Sequence, residues 1–158
     1  MAIRKIRKIG DSILKKQTKE ITEMTPRLAT LIDDMLETMY DADGVGLAAP
    51  QVGVLKQLVV IDVSMEADEP IVLINPQIVE TAGEQTGDEG CLSVPGKAGQ
   101  VTRPNYVKVR ALDRNMQPIE LEGTELLARA ICHEIDHLSG ILYVEKVEGE
   151  LHDNRSES

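Results

Sequence analysis

Two stretches of the chain repeat apolar residues at the spacing of an amphipathic helix. The first runs from about Pro26 to Tyr40, with Thr25 as a suitable N-cap and Pro26 at the favoured first helical position. The second runs from about Thr124 to Leu138, and Gly140 is a natural stop. The apolar face of the first helix comprises Leu28, Leu31, Ile32, Met35, Leu36 and Met39, and its polar face carries Asp33, Asp34 and Glu37. The pattern therefore predicts two helices, one in each half of the chain.

Shorter apolar runs between these helices predict strands. Strands are expected at Gln57 to Val63, at Ile71 to Ile74, and at Tyr106 to Asp113, where apolar and charged residues alternate. The last of these pairs with Ile119 to Leu121 in an antiparallel hairpin. Loops are expected at residues 64–70 and 81–88. Together the elements predict an α+β fold with antiparallel sheets and two main helices.

One domain is expected, spanning residues 1–147, followed by a polar and frayed tail over residues 148–158. The core must be built from aliphatic residues and Met, because the chain has no Phe and no Trp. The 17 basic and 27 acidic side chains give a net charge of −10, which argues against binding to DNA. The sequence contains neither a transmembrane run nor the apolar stretch of a signal peptide, so a cytoplasmic location with reduced cysteines is expected.

The second predicted helix carries a metal-binding motif, His133-Glu134-Ile135-Asp136-His137. Two His four residues apart lie on one face of a helix, so both imidazoles can reach one ion. On a helical wheel His133, Glu134 and His137 lie beside the apolar stripe, at about 240–340° when Leu127 is at zero. Burying a carboxylate and two imidazoles without partners is costly, and a bound cation removes that cost. Glu134 is then positioned to handle the proton of an attacking water.

A catalytic metal site needs a third protein ligand and an open position. His152 is the only other His in the chain, but it lies in the polar tail. Cys91, in Glu89-Gly90-Cys91-Leu92-Ser93, is the stronger candidate because a thiolate binds borderline-soft metals well. From the ligand types alone, zinc is the expected ion.

Three segments together resemble one family, peptide deformylase. They are Gly44-Val45-Gly46-Leu47-Ala48-Ala49-Pro50-Gln51, Glu89-Gly90-Cys91-Leu92-Ser93 and His133-Glu134-Ile135-Asp136-His137-Leu138. The resemblance extends from about Ile3 to Val147, and the set of three is far more specific than any one segment. It implies antiparallel sheets packed around a central helix that bears the HExxH motif.

The resemblance also assigns roles. Cys91, His133 and His137 match metal ligands, with Fe(II) the implied ion and Zn, Ni or Co as alternatives. Glu134 matches the catalytic acid/base, and Gln51 and the Leu92 N–H match the groups that polarise the formyl oxygen. Gly46 matches a backbone position that aligns the peptide, and Val45 and Ile131 are expected to line the pocket for the Met side chain, with Leu127 a weaker candidate. The implied partners are N-formyl-methionyl peptides and nascent chains, with transient ribosome contact, and we expect a monomer.

Two alternatives remain open at this stage. An HExxH-type metallopeptidase takes its third ligand downstream of the motif, where Glu145, Glu148, Glu150 and His152 are available. A metal-stabilised module that binds peptide N-termini without turnover is the non-enzyme alternative.

Glu89 and Arg103 are further expected to pair and to hold the Cys91 loop. Cys132, which precedes the first His of the motif, is expected to face away from the metal.

Overall fold

The computed structural model describes residues 2–153, and this range contains two α-helices and eight strands. The helices are α1 (Pro26–Asp41) and α2 (Glu125–Leu138). The strands are β1 (Gly46–Ala48), β2 (Leu58–Ile61), β3 (Ile71–Ala82), β4 (Gln85–Cys91), β5 (Val94–Arg103), β6 (Tyr106–Leu112), β7 (Pro118–Thr124) and β8 (Glu148–Asp153). Short 3-10 segments cover Ser12–Lys15, Ala49–Val52 and Tyr143–Glu145. The predicted α+β class with antiparallel sheets and two helices is confirmed.

The larger sheet has the order β1-β2-β3-β6-β7, and all neighbours are antiparallel. Its two faces are covered by different helices. Leu58 and Val60 of β2 lie in the apolar cluster of α1, whereas Val59 and Ile61 lie in the cluster of α2. Because side chains alternate along a strand, a strand buried on both faces must be apolar at every position, as β2 is.

Helix α1 begins as predicted, because the Thr25 hydroxyl accepts a hydrogen bond from the Leu28 N–H at 3.1 Å. Five of the six residues of the predicted apolar face are buried, and Leu36 is partly buried. The expectation that Asp34 lies on the exposed polar face is wrong. Asp34 is 4% exposed, and its carboxylate accepts from the Ala2 N–H at 2.8 Å and the Arg4 Nε–H at 2.9 Å. The N-terminal segment therefore covers this side of α1.

The β6–β7 hairpin is confirmed, with Val107, Val109 and Ala111 buried on one face. The predicted loop at residues 81–88 is wrong: β3 runs to Ala82, and β4 begins at Gln85. β4 contains Gly and acidic residues, which favour loops, but its pairing with β5 supplies a full ladder. Pro76, which has no N–H to donate, coincides with a register shift in β3.

The frayed tail is also a prediction that the structure corrects in part. Residues 148–153 form β8, which pairs with β5 and completes a second sheet of order β4-β5-β8. Contacts from polar residues anchor it: Thr102 Oγ1 donates to Glu148 at 2.6 Å, and Lys97 pairs with Asp153 at 2.6 Å. Residues 154–158 of the predicted tail lie outside the described range.

Helix α2 contacts strands of both sheets, namely β1, β2, β6 and β7 of the larger sheet and β5 of the smaller one. Its first residue, Glu125, directly follows the last residue of β7, Thr124. No helix in residues 2–153 is long and apolar enough to cross a membrane.

Candidate metal centre and substrate cavity

The candidate metal ligands come from α2 and from the end of β4. His133 and His137 lie one helical turn apart, with ring centroids 5.0 Å from each other. Cys91 Sγ lies 3.3 Å from His137 Nε2. One ligand atom from each of the three residues falls within 4.8 Å of the others, and it is the only such group of ligands found in residues 2–153. A thiolate and two imidazoles make a three-ligand set with room for a fourth, non-protein ligand.

The surroundings fit a cation. His133 Nδ1 contacts Glu89 Oε1 at 2.7 Å, which leaves Nε2 free for an ion. Glu134 is 4% exposed, and its Oε1 has no hydrogen-bond partner in the described part of the chain. Burial raises the pKa of Glu134 to about 7, although the nearby His133 acts against this. A buried carboxylate without partners is costly, and an ion held by the three ligands would offset that cost.

Glu89 lies behind His133 and is held by two arginines. Arg103 donates to both carboxylate oxygens, at 2.7 and 3.1 Å, which confirms the predicted Glu89–Arg103 pair. Burial opposes the charge on Glu89, but the bonds from His133 and Arg103 outweigh it and lower its pKa to about 2. A fixed carboxylate on Nδ1 sets the orientation and tautomer of a ligating imidazole.

Arg129 is the second arginine on Glu89, and the sequence interpretation did not include it among the site residues. Its Nη1 donates to Glu89 Oε2 at 2.7 Å and to the Val101 carbonyl at 3.1 Å. The residue is 7% exposed. The available signal was its position four residues before His133, because residues at that spacing share a helix face.

Gln51 is fully enclosed, and its orientation is fixed from both ends. Its Oε1 accepts from the Ala48 N–H at 2.9 Å, so the opposite end of the amide is Nε2. Nε2 donates to Ser93 Oγ at 3.0 Å and lies 3.5 Å from Cys91 Sγ. The amide donor is therefore held beside the candidate ligand set.

Gly46 lies against the carboxylate of Glu134. A Cβ at residue 46 would lie 2.5 Å from Glu134 Oε2, closer than van der Waals contact allows. A Cβ at Gly44 would lie 2.7 Å from Leu92 Cδ1. A glycine at residue 46 is thus required by the close approach of Glu134, and residues 43–46 line one side of the cavity.

These groups open into one cavity of about 240 Å³. Its lining includes seven of the nine predicted site residues: Val45, Gly46, Gln51, Cys91, Leu92, His133 and Glu134. His137 joins the site through Cys91, but Ile131 is absent from the lining. Ile131 is fully buried in the core between α2 and the larger sheet, because it lies about 160° round the helix from His133. Leu126 and Ala130 line the cavity where Ile131 and Leu127 were expected.

Other candidates lie elsewhere. His152 is half-exposed on β8 and pairs with Asp88 at 3.2 Å, so it does not join the ligand set. Glu145 caps the Leu142 N–H at 2.9 Å and pairs with Lys15 at 2.8 Å. The downstream third ligand that a metallopeptidase needs is thus missing from residues 2–153. Cys132 is a buried free cysteine in the core beside the larger sheet, and burial raises the pKa of its thiol.

Comparison with known proteins places this geometry in a family. A sequence model of polypeptide deformylase matches residues 3–152. The chain belongs to the polypeptide deformylase family. It is 74% identical to the peptide deformylase of Lachnoclostridium phytofermentans over 153 residues, which cover 97% of this chain and 94% of that one.

Solved structures of the family have the same fold. The Legionella pneumophila peptide deformylase superposes with a TM-score of 0.90 at 50% identity, covering 93% of this chain and 87% of that one. The Synechococcus elongatus peptide deformylase in complex with actinonin gives a TM-score of 0.87 at 46% identity, covering 92% and 79%. The resemblance seen in the three sequence segments therefore holds over nearly the whole chain.

Proposed function

We propose that this chain removes the formyl group from the N-terminal formyl-methionine of newly made polypeptides and releases formate. The observation that carries the proposal is the placement of Glu134 and Gln51 on the same cavity as the ligand set of Cys91, His133 and His137. Family membership supports the same activity. An amide hydrolase needs a polarised carbonyl, an activated water and a proton donor for the leaving amine, and these residues supply those functions.

Cys91, His133 and His137 would hold one divalent ion, which we take to be Fe(II), with Zn, Ni or Co as alternatives. When bound, the ion supplies Lewis-acid chemistry, lowering the pKa of a water and polarising the formyl carbonyl. The ligand types support a transition metal, because thiolate and imidazole suit such ions better than Mg²⁺ or Ca²⁺. Glu89 acts behind this set by fixing the ring of His133.

Glu134 accepts a proton from the attacking water and passes it to the leaving amine. Its raised pKa, about 7, suits a group that must both take and return a proton near neutral pH. Gln51 Nε2 and the Leu92 N–H donate to the formyl oxygen as negative charge develops there. A donor that is already oriented, as Gln51 is by Ala48 and Ser93, adds little reorganisation cost to the reaction.

The peptide would lie along β1, with the Gly46 backbone aligning it as an added strand. Val45, which is 43% exposed, supplies apolar surface for the Met side chain. Leu126 and Ala130 take the part of this pocket that the sequence assigned to Ile131. We place this activity in a catalytic domain of residues 1–147, organised around α2 as the central helix that bears HExxH.

The cellular setting is part of the same proposal. The enzyme acts in the cytoplasm as a monomer on formylated peptides and nascent chains, with transient ribosome contact. Partners of the DNA or membrane class are not expected, given the net charge of −10.

The test is formate release from a formyl-Met tripeptide. Protein purified without oxygen is loaded separately with Fe(II), Ni(II) or Zn(II), and Glu134→Ala serves as the variant. We expect turnover in the wild type that depends on the metal, and a loss of at least about 100-fold in Glu134→Ala with metal content unchanged. No formate with any ion, in protein shown to hold one ion per chain, would overturn the proposal.

Two further arms separate the alternatives. Cys91→Ser should lower metal content, a result that a metallopeptidase with a downstream ligand does not predict. Cleavage of internal bonds in an unformylated peptide by the wild type would favour the metallopeptidase. Tight peptide binding with equal inactivity in wild type and Glu134→Ala would favour the binding module.

A further inference from the structure

The backbone of residues Arg7–Ile9, here called the clamp, bridges two segments of the active site from outside. The Arg7 N–H donates to the Gln51 carbonyl at 2.7 Å, and the Ile9 N–H donates to the Ser93 carbonyl at 2.7 Å. The N–H groups of Arg7 and Ile9 thus bind two segments that are 42 residues apart in the chain. Both bonds are short and use backbone groups, so they depend little on side-chain identity.

The two bridged segments carry the groups that act on the formyl oxygen. One is the 3-10 segment that bears Gln51, and the other is the turn after β4 that bears Cys91 and Leu92. The two segments meet at a buried hydrogen bond between Gln51 Nε2 and Ser93 Oγ, which are 3.0 Å apart. The clamp joins the same two segments on their outer side, so the spacing of the Gln51 amide and the Cys91–Leu92 turn is fixed at two points.

Further contacts keep the clamp in place. Lys8 Nζ donates to the Leu92 carbonyl at 3.3 Å, which adds a second bond to the turn that Ile9 contacts. Upstream, the Arg4 N–H donates to Thr38 Oγ1 at 2.9 Å, and the Arg4 side chain pairs with the buried Asp34 on α1. The clamp is therefore anchored to a helix of the core, which lets it hold the turn against movement.

We propose that the clamp is a positioning element, in which the N–H groups of Arg7 and Ile9 set the distance between the Gln51 donor and the Cys91–Leu92 turn. The inference rests on the proposed deformylase activity. The clamp touches neither substrate nor metal, and acts only through the carbonyls of Gln51 and Ser93. Because donors to a developing oxyanion act over a narrow range of distance, loosening this spacing lowers kcat more than it raises KM.

The test uses proline, which removes one N–H donor and leaves the cavity lining unchanged. Ile9→Pro and Arg7→Pro are expected to lower kcat for a formyl-Met tripeptide by about ten-fold, with the metal content of the wild type. Ile9→Ala keeps the N–H and should retain wild-type kcat. Lys5→Pro is the matched control, because among residues 2–153 the Lys5 N–H has no acceptor.

Two readouts separate positioning from a loss of stability. Arg7→Pro combined with Gln51→Ala should be no slower than Gln51→Ala alone, because the clamp acts through Gln51. The absorption of a Co(II)-loaded Ile9→Pro enzyme should shift, since the Cys91 thiolate moves with its turn. Additive losses in the double variant, with an unshifted spectrum, would show a structural role only and overturn the proposal.

Amide hydrogen exchange in the wild type covers the case in which the proline variants do not fold. The amides of Arg7 and Ile9 should exchange at least about ten-fold more slowly than that of Lys8, which donates no backbone bond. Equal exchange of Ile9 and Lys8 would refute the clamp. Wild-type enzyme that releases no formate contradicts the proposed function instead, whereas wild-type turnover with fully active proline variants contradicts the clamp alone.

Discussion

The close contact between Gly46 and Glu134 allows a prediction of how far the Glu134 carboxylate would move if residue 46 carried a side chain. In Gly46→Ala the new Cβ would lie 2.5 Å from Oε2 and 2.9 Å from both Cδ and Cγ of Glu134. Ordinary contact begins at 3.4 Å, so the carboxylate must retreat by about 0.9 Å, the difference between 3.4 and 2.5 Å. A misplacement of about 1 Å at a reacting group can cost about 100-fold in rate. We therefore expect kcat for formate release to fall by about 100-fold, or about 2.7 kcal/mol.

The assay is steady-state formate release with the metal content measured in the same samples. Gly87→Ala is the control, because a Cβ there would lie 3.4 Å from Arg129 Nη2, which is ordinary van der Waals contact. Metal content should stay unchanged in Gly46→Ala, since Glu134 is not one of the three proposed ligands. A Gly46→Ala enzyme with wild-type kcat would refute the argument that a displacement of the Glu134 carboxylate slows the reaction.

Three further predictions concern stability. Arg129→Met should lower the free energy of unfolding by about 2 kcal/mol in urea titrations, because it removes one cation from the buried Glu89. The control Arg110→Met breaks an exposed ion pair and should change the free energy of unfolding by less than about 0.5 kcal/mol, so equal effects would contradict the argument from burial. The pKa of Glu89 is lowered from 4.5 to about 2, so in metal-free protein this carboxylate contributes about 3 kcal/mol to the free energy of unfolding above pH 4.5, and the contribution is lost as the pH falls toward 2. A carbon-13 NMR titration that gives this carboxyl a pKa near 4.5 would disprove the prediction. Thr25→Ala removes the N-cap of α1 and should lower the free energy of unfolding by about 1 kcal/mol in the same urea titration, with no change in kcat. An unchanged urea midpoint would show that the hydrogen bond from the Leu28 N–H to Thr25 contributes nothing to stability.

The sequence by itself determined the elements whose signals are local. Helix α1 was predictable because Thr25, Pro26 and the apolar spacing agree, and the β6–β7 hairpin because its alternation is regular. The candidate ligand pair on α2 was predictable for the same reason, since the spacing of His133 and His137 alone puts them on one helix face. Cys91 became the candidate third ligand only in combination with the His pair, because a lone cysteine is more often a small buried apolar residue.

Tertiary structure decided what depends on pairing and on packing between distant segments. β4 and β8 have compositions typical of loops, and they are strands because β5 lies between them and completes both ladders. Asp34 was assigned to the polar face of α1, yet it is buried because the N-terminal segment lies across it. Arg129 of α2 is buried because it pairs with Glu89. Ile131 was assigned to the cavity, but it packs against the larger sheet. Helical spacing determines which residues share a face of a helix. Which groups that face contacts depends on the tertiary structure, because charge partners and strand partners come from remote parts of the chain.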